Sequence, residues 1–266
     1  MVRLALAALA CALGPAPEPI PWSALVDRGD LVVLGEVERV AESVAVVRVE
    51  RVLLGPAELE RVRVVDESAT PRAGRRALYF LREAPAEEPL WTPVDDGRWP
   101  VVEGEIVVVP AGVASPDELG GGRRLALEPL LARIDARIAE LTPSVSASFV
   151  SRAPSGWRVS VTPDGAWREP VPGPPGKFEM GTLAPDELAA LWRLIEDVRF
   201  DELPREIGRH GPELHTPARF VELFTRAGRT RVLARPWTRD DDDETQAMRE
   251  RFYSVWDALP STRRKR

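Results

Sequence analysis

The sequence predicts a mixed α+β protein of two domains, and three observations support this prediction. Valine-rich runs with partial alternation of apolar and polar residues, typical of β-strands, recur between residues 30 and 110. Leucine and isoleucine at helical spacing follow at residues 127–141, and a second series of strands and helices occupies residues 149–260. A chain of 266 residues, 44% of them hydrophobic, is long enough for two separate cores.

We expect five segments along the chain. They are an export signal or lipoprotein leader (1–20), a β-barrel domain with a closing helix (21–141), a linker (142–148), a small α+β domain of sheet and helices (149–260) and a basic tail (261–266). The linker is predicted because its residues are small and polar and are interrupted by Pro143.

The first domain is predicted to be a curled meander of β-strands. Its strands are expected at residues 30–40, 43–55, 60–67, 75–83 and 105–110. Ala45 and Val47 share one face of the second strand and Arg48 lies on the other, so one face can be buried. Gly35 favours a bend or bulge that lets the sheet curl toward a barrel. The helix at 127–141, with Pro129 in its first turn, closes the domain.

The second domain has the predicted order β-β-β-α-β-β-α. Strands are expected near residue 149 and at residues 157–162, followed by a turn at 163–165 and a strand through Trp167. A helix is expected at 184–200, a hairpin at 219–235, and a last helix whose buried face carries Met248, Phe252, Val255, Trp256 and Leu259. This order predicts one sheet covered on one side by two helices.

The composition argues against nucleic acid and nucleotide partners. The net charge of −6 leaves no basic excess for a phosphate backbone. The segment 170–178 resembles the end of a phosphate-binding loop, but Val171 replaces its first glycine and Phe178 its hydroxyl residue. We therefore predict no cofactor. The near absence of lysine and the lack of asparagine indicate a GC-rich bacterial genome.

The first residues have the layout of an export signal, with Arg3 before an apolar run at 4–13 and a proline-rich stretch after it. Three alternatives stay open: lipid attachment at Cys11, ordinary cleavage after Ala12, or, third, either a misassigned start or a cytoplasmic chain. The expected location is therefore periplasmic, secreted or lipid-anchored, with membrane contact only through the anchor.

Two histidines, His210 and His215, flank Glu213 and are the only histidines in the chain. Their i, i+5 spacing differs from the i, i+4 spacing of helical zinc motifs, and a metal would need further ligands. The sequence contains no serine or cysteine nucleophile motif. We predict that the protein is not an enzyme and has no catalytic or metal-binding residues; the alternative is a metal-dependent hydrolase using His210 and His215.

Two further groups of residues receive structural interpretations. The acidic run Asp240–Glu244 is predicted to cap the last helix rather than to bind calcium, because it lacks the glycine and spacing of a calcium loop. Trp157 and Trp167 flank one turn and could form a sugar or peptide platform, but core packing is the commoner role of such residues.

Both halves resemble known families. Residues 24–141 contain ALVDRGDLVVLGEVERV, VRVERVLLGP, GRRALYFLRE and LLARI, and they resemble exported bacterial modules with the five-stranded OB-type barrel of the netrin and metalloproteinase-inhibitor class. Members of that class with inhibitory activity carry an N-terminal cysteine and several disulfides, so the resemblance implies the fold and not inhibition. Residues 146–260 resemble a bacterial family of unassigned function through VSVTPDG and LAPDELAALWRLIEDVRFDELP.

Taken together, these features predict an exported, non-catalytic binding protein of the bacterial cell envelope. Its partner would be another envelope protein or a polysaccharide, bound by the barrel face or by a sheet edge.

Overall fold

The computed structural model describes residues 18–65, 72–84, 89–103, 105–150, 158–170, 178–208, 218–236 and 241–260. The chain divides into two compact units. The first comprises Met1–Leu53 and Leu59–Ile134, and the second comprises Leu54–Glu58 and Asp135–Arg266. The division falls inside the helix that was expected to close the first domain.

The first unit contains a closed barrel of five strands. The strands are β1 (Leu31–Ala41), β2 (Val44–Leu54), β3 (Arg61–Val65), β4 (Arg76–Glu83) and β5 (Trp91–Val102). Neighbouring strands follow the order β3–β2–β1–β4–β5, and the parallel pair Val64–Trp91 joins β3 to β5. The sheet continues from β5 through β6 (Ile106–Val108) and β7 (Arg124–Ala126), while helix α1 (Trp22–Arg28) contacts β4 and β5.

The barrel interior is built from alternating apolar residues. Leu31 and Val33 of β1 and Val47 of β2 are fully buried in one cluster. Strands β1 and β4 are buried on both faces, because Val32 and Phe80, which point the other way, are also fully buried. These two strands are therefore the apolar centre of the first unit.

Gly35 allows β1 to approach β2 closely. A Cβ atom at this position would lie 2.5 Å from the Arg48 carbonyl oxygen and 2.7 Å from Cγ1 of Val47. No side chain fits this space. The close approach of β1 to β2 therefore depends on glycine at position 35, where the sequence predicted a bend or bulge.

The second unit contains one seven-stranded sheet, two complete helices and the C-terminal part of a third. Its strands are β8 (Ser144–Val150), β9 (Arg158–Val161), β10 (Ala166–Pro170), β11 (Phe178–Thr182), β12 (Glu206–Ile207), β13 (Ala218–Thr225) and β14 (Gly228–Ala234). Its order is β11–β10–β9–β8–β13–β14–β12, antiparallel except for the β12–β14 pair. The helices are α2 (Leu127–Leu141), which spans the division between the units, α3 (Pro185–Asp197) and α4 (Asp243–Ala258).

One face of this sheet is buried under α3 and α4. Val159, Val221 and Val232 from the strands share a core with Leu191 of α3 and Phe252 of α4. The two helices also contact each other. The predicted layer of a sheet covered by two helices on one side is therefore present in the second unit.

A buried arginine fixes the end of strand β14 to α4. The Arg249 side chain is fully buried, and its Nε donates a hydrogen bond of 2.9 Å to the buried Asp241 carboxylate. The same guanidinium donates to the carbonyl oxygens of Arg235 and Pro236. These hydrogen bonds and the Asp241 carboxylate compensate the buried charge of Arg249, which would otherwise be costly in the protein interior.

Several sequence predictions are confirmed by the structure. The fold is mixed α+β, the hairpin at 219–235 forms as β13 and β14, and the helices expected at 127–141 and 184–200 form as α2 and α3. The predicted cap is also present, since the Asp242 carboxylate accepts a hydrogen bond of 2.8 Å from the Thr245 N–H.

Other predictions need correction. Residues 142–148, expected to be a linker, lie mostly in β8, which pairs with both β9 and β13 near the middle of the sheet. Its serines alternate with Val145 and Ala147, a strand pattern that was interpreted as linker composition. Strand β5 and helix α1 were not predicted; β5 contains Pro93 and Pro100, which obscure its alternation.

The Gly35 contact yields a stability prediction. Gly35→Ala should lower the free energy of unfolding of the first unit by about 1–3 kcal/mol, because the added methyl group overpacks against β2. The matched control is Gly122→Ala, where the nearest atom, the Arg124 carbonyl oxygen, lies 4.0 Å from the new Cβ. Urea unfolding of both variants measures the effect, and equal midpoints for the two variants would contradict this account of Gly35.

Candidate functional site

A cavity of about 300 Å³ lies in the second unit. It is formed by the C-terminal half of α3, the turn at Phe200–Glu202 and the hairpin that joins β13 to β14. This volume is at the low end of the range for small-molecule sites in proteins. The cavity is therefore the candidate binding site of the second unit.

The apolar wall of the cavity comes from the buried side of α3 and from the sheet. Trp192 and Ile195 of α3 line it together with Leu223 of β13. Ile195 and Leu223 are buried members of the core, whereas Trp192 is half-buried and packs against that core. The indole of Trp192 therefore has one side fixed by packing and belongs to the cavity wall.

Helix α3 is positioned by signals at its N-terminus. Pro185 fits the first turn, where a missing N–H costs nothing, and Asp186 and Glu187 lie near the positive end of the helix. The Glu187 carboxylate accepts a hydrogen bond of 3.1 Å from the Ala184 N–H. These contacts fix the start of the helix that carries Trp192 to the cavity.

The hairpin is held at its tip. Arg226 and Ala227 form a two-residue turn, and Gly228 follows with a φ of 121° that favours glycine. The Arg226 guanidinium pairs with Asp135 of α2. The backbone carbonyl oxygen of Arg226 accepts a hydrogen bond of 3.0 Å from the Gly55 N–H. The part of the cavity formed by the hairpin is thus tied to other segments of the second unit.

An ion cluster around Glu222 lies on the sheet face opposite the helices. Val221 and Leu223 point into the core, so the alternation along β13 places Glu222 and Phe224 on the other face. Nη1 of Arg229 lies 2.9 Å from Oε1 of Glu222, and its guanidinium carbon lies 3.7 Å from the centre of the Phe224 ring. Arg229 is also a lining residue of the cavity. Its guanidinium group is nevertheless directed to the sheet face opposite the helices.

Two more arginines share the same carboxylate. Nε of Arg231 lies 2.8 Å from Oε2 of Glu222, and Nη2 of Arg158 lies 3.5 Å from Oε1. Burial alone would raise the pKa of Glu222, but the Arg231 hydrogen bond and the charges of the three arginines outweigh it and lower that pKa below its usual value. Glu222 is consequently ionised at neutral pH.

Two carboxylates at the cavity have no such partners. Glu196, in the last turn of α3, and Asp201, in the turn that follows, both line the cavity and are exposed. Within the residues that the structure describes, neither side chain forms a hydrogen bond or an ion pair. The last turn of α3 also contains no basic residue, so both carboxylates lie near the negative end of the helix dipole.

Most residues singled out in the sequence lie elsewhere. Cys11, His210, Glu213, His215 and Trp157 fall outside the described residues. Trp167 packs against the core of the second unit, and its ring would lie 2.8 Å from a Cβ at position 181. The structural role of Trp167 is therefore core packing.

Sequence reasoning did not identify the cavity. Trp192 and Glu196 were included only within the helix expected at 184–200, and neither they nor Asp201 were singled out. The available signal was the acidic last turn of α3, where basic residues would be more stabilising. A local conflict of this kind often accompanies a functional site.

The cavity combines an aromatic and aliphatic wall with two carboxylates at its edge. Such a surface can pack against an apolar group and accept hydrogen bonds or attract positive charge. Among the described residues, no group of three or more histidine, cysteine, aspartate or glutamate side chains is placed to hold a metal ion.

In comparisons with known proteins, no family model, no curated protein and no solved structure matches this chain. In the parts that the structure describes, no helix has the length and apolarity needed to cross a bilayer.

The Glu222 cluster yields a prediction about pH. Glu222→Gln should lower the free energy of unfolding of the second unit by about 2–4 kcal/mol at pH 7, because the nearly buried Arg229 guanidinium loses its counter-charge. Since the folded-state pKa is lowered, the stabilisation is complete above the unfolded pKa of about 4.3 and is lost as the pH falls through the folded value.

Urea unfolding at pH 7 and at pH 3 measures the effect of Glu222→Gln, and the difference from the wild type should shrink at pH 3. Glu250→Gln is the matched control, because the Glu250 side chain is exposed and forms no ion pair with described residues. A Glu222→Gln deficit that stays constant between the two pH values would contradict the electrostatic interpretation.

Proposed function

We propose that the protein is an exported, non-catalytic binding protein of the bacterial cell envelope, and that the cavity of its second unit holds a small envelope-derived ligand. The observation that carries this proposal is the half-buried indole of Trp192 beside two unpartnered carboxylates in one cavity. A fixed apolar wall with few polar groups is the usual composition of a ligand site.

The lining offers groups suited to non-covalent binding. Apolar side chains line the cavity together with two carboxylates, two threonines and one arginine. The proposal therefore assigns no reaction to the cavity.

The first unit supports the OB-type part of the proposal. Five strands in the order β3–β2–β1–β4–β5, joined by a parallel β3–β5 pair, agree with a small barrel of that kind. We propose that this unit resembles the barrel of the netrin class in fold, and we assign it no inhibitory activity.

The export part of the proposal rests on the first residues. The arginine followed by the apolar run at 4–13 is the layout of a signal, and Cys11 would carry the lipid if the leader is that of a lipoprotein. Mass spectrometry of the N-terminal peptide from cell fractions distinguishes lipid at Cys11, cleavage after Ala12 and an unprocessed chain.

The ligand proposal predicts a specific effect of Trp192→Ala. The full chain, incubated with a solubilised fraction of envelope peptides and saccharides and then washed, should retain small molecules that mass spectrometry detects on denaturation. Trp192→Ala should retain at least tenfold less, because the cavity loses its main apolar surface.

The matched control is Trp22→Ala, since Trp22 is also half-buried but belongs to the first unit. Equal retention by Trp192→Ala and the wild type would contradict the proposed site. A retained ligand that is converted to a product of different mass would contradict the non-catalytic assignment.

A further inference from the structure

We infer that the ligand of the cavity is an organic cation, an ammonium group carried on an apolar or aromatic body. This inference deepens the proposed function and rests on it. It follows from the charges that remain at the cavity once every described ion pair around it is taken into account.

Three nearby arginines are engaged away from the two cavity carboxylates. Arg229 is held by Glu222 on the opposite face of the sheet. Arg251 donates hydrogen bonds of 2.5 and 2.6 Å to the carbonyl oxygens of Val198 and Arg199. The Arg199 side chain lies 3.6 Å from Glu202. Glu196 and Asp201 are therefore not neutralised by these side chains.

The end of α3 adds to this negative potential. Glu196 lies in the last turn, where the helix dipole contributes partial negative charge, and Asp201 lies four residues beyond the helix. A cation bound here gains from both carboxylates and from the helix end. An anion would be repelled, and a neutral ligand would compensate the two carboxylates less well than a cation, because it can donate hydrogen bonds but brings no counter-charge.

The aromatic wall favours an organic cation over a simple ion. An ammonium group near the face of Trp192 gains a cation–π interaction, worth about 0.5–2 kcal/mol depending on its hydration. Ile195 and Leu223 offer apolar surface to the body that carries the charge. A bare ion would leave this wall unused.

Phenethylammonium and 2-phenylethanol test the inference, because the two probes have the same carbon skeleton and differ in the charged group. Isothermal titration of the full chain in 0.15 M salt should show phenethylammonium binding at least tenfold more tightly than 2-phenylethanol. The double variant Glu196→Gln/Asp201→Asn should lose at least tenfold in phenethylammonium affinity.

The matched control is Glu244→Gln/Glu250→Gln, which removes two exposed carboxylates of α4 from the same unit. Neither residue lines the cavity. This control should bind phenethylammonium as the wild type does. Circular dichroism of both double variants checks that they fold alike.

Three outcomes would overturn the inference: equal affinity for the two probes, unchanged affinity in Glu196→Gln/Asp201→Asn, or no binding of phenethylammonium. If the two probes bind with equal affinity and Trp192→Ala binds neither of them, the cavity is a binding site without charge preference. The retention experiment with the envelope fraction uses no added probe, so it tests the proposed function separately.

Discussion

The second unit depends on the separation of charges by its sheet. Strand β13 alternates between Val221 and Leu223, which face the helices, and Glu222, which faces the other way. Glu222 holds the guanidinium groups of Arg158, Arg229 and Arg231 on that outer face. The helix side of the sheet then keeps its apolar core and an edge with two unpartnered carboxylates, which defines the proposed site.

The two units reach stability by different means. The barrel closes its sheet through β3 and β5 and buries β1 and β4 on both faces, so apolar burial dominates its interior. The second unit leaves one sheet face without these helices and satisfies its buried polar groups by ion pairs, at Glu222 and at the fully buried Arg249. The cavity of the second unit combines two unpartnered carboxylates with an apolar wall.

The sequence predicted elements where local patterns agree with the final packing. Helix α3 has Pro185, an acidic first turn and an apolar stripe, and its bounds were predicted closely. Strand β8 was mistaken for a linker because serine and proline suggested a loop while Val145 and Ala147 alternate into the core. The cavity could not be predicted, because it brings together α3, the turn after it and a hairpin whose register is set only in the folded state.

Carboxyl carbon NMR of the full chain, titrated with phenethylammonium chloride, tests this charge separation most directly. The account predicts that the carboxyl resonances of Glu196 and Asp201 shift with saturation at a common affinity, while that of Glu222 stays unchanged because its arginines face the other side of the sheet. A shift of the Glu222 resonance with no change at Glu196 and Asp201 would contradict the account.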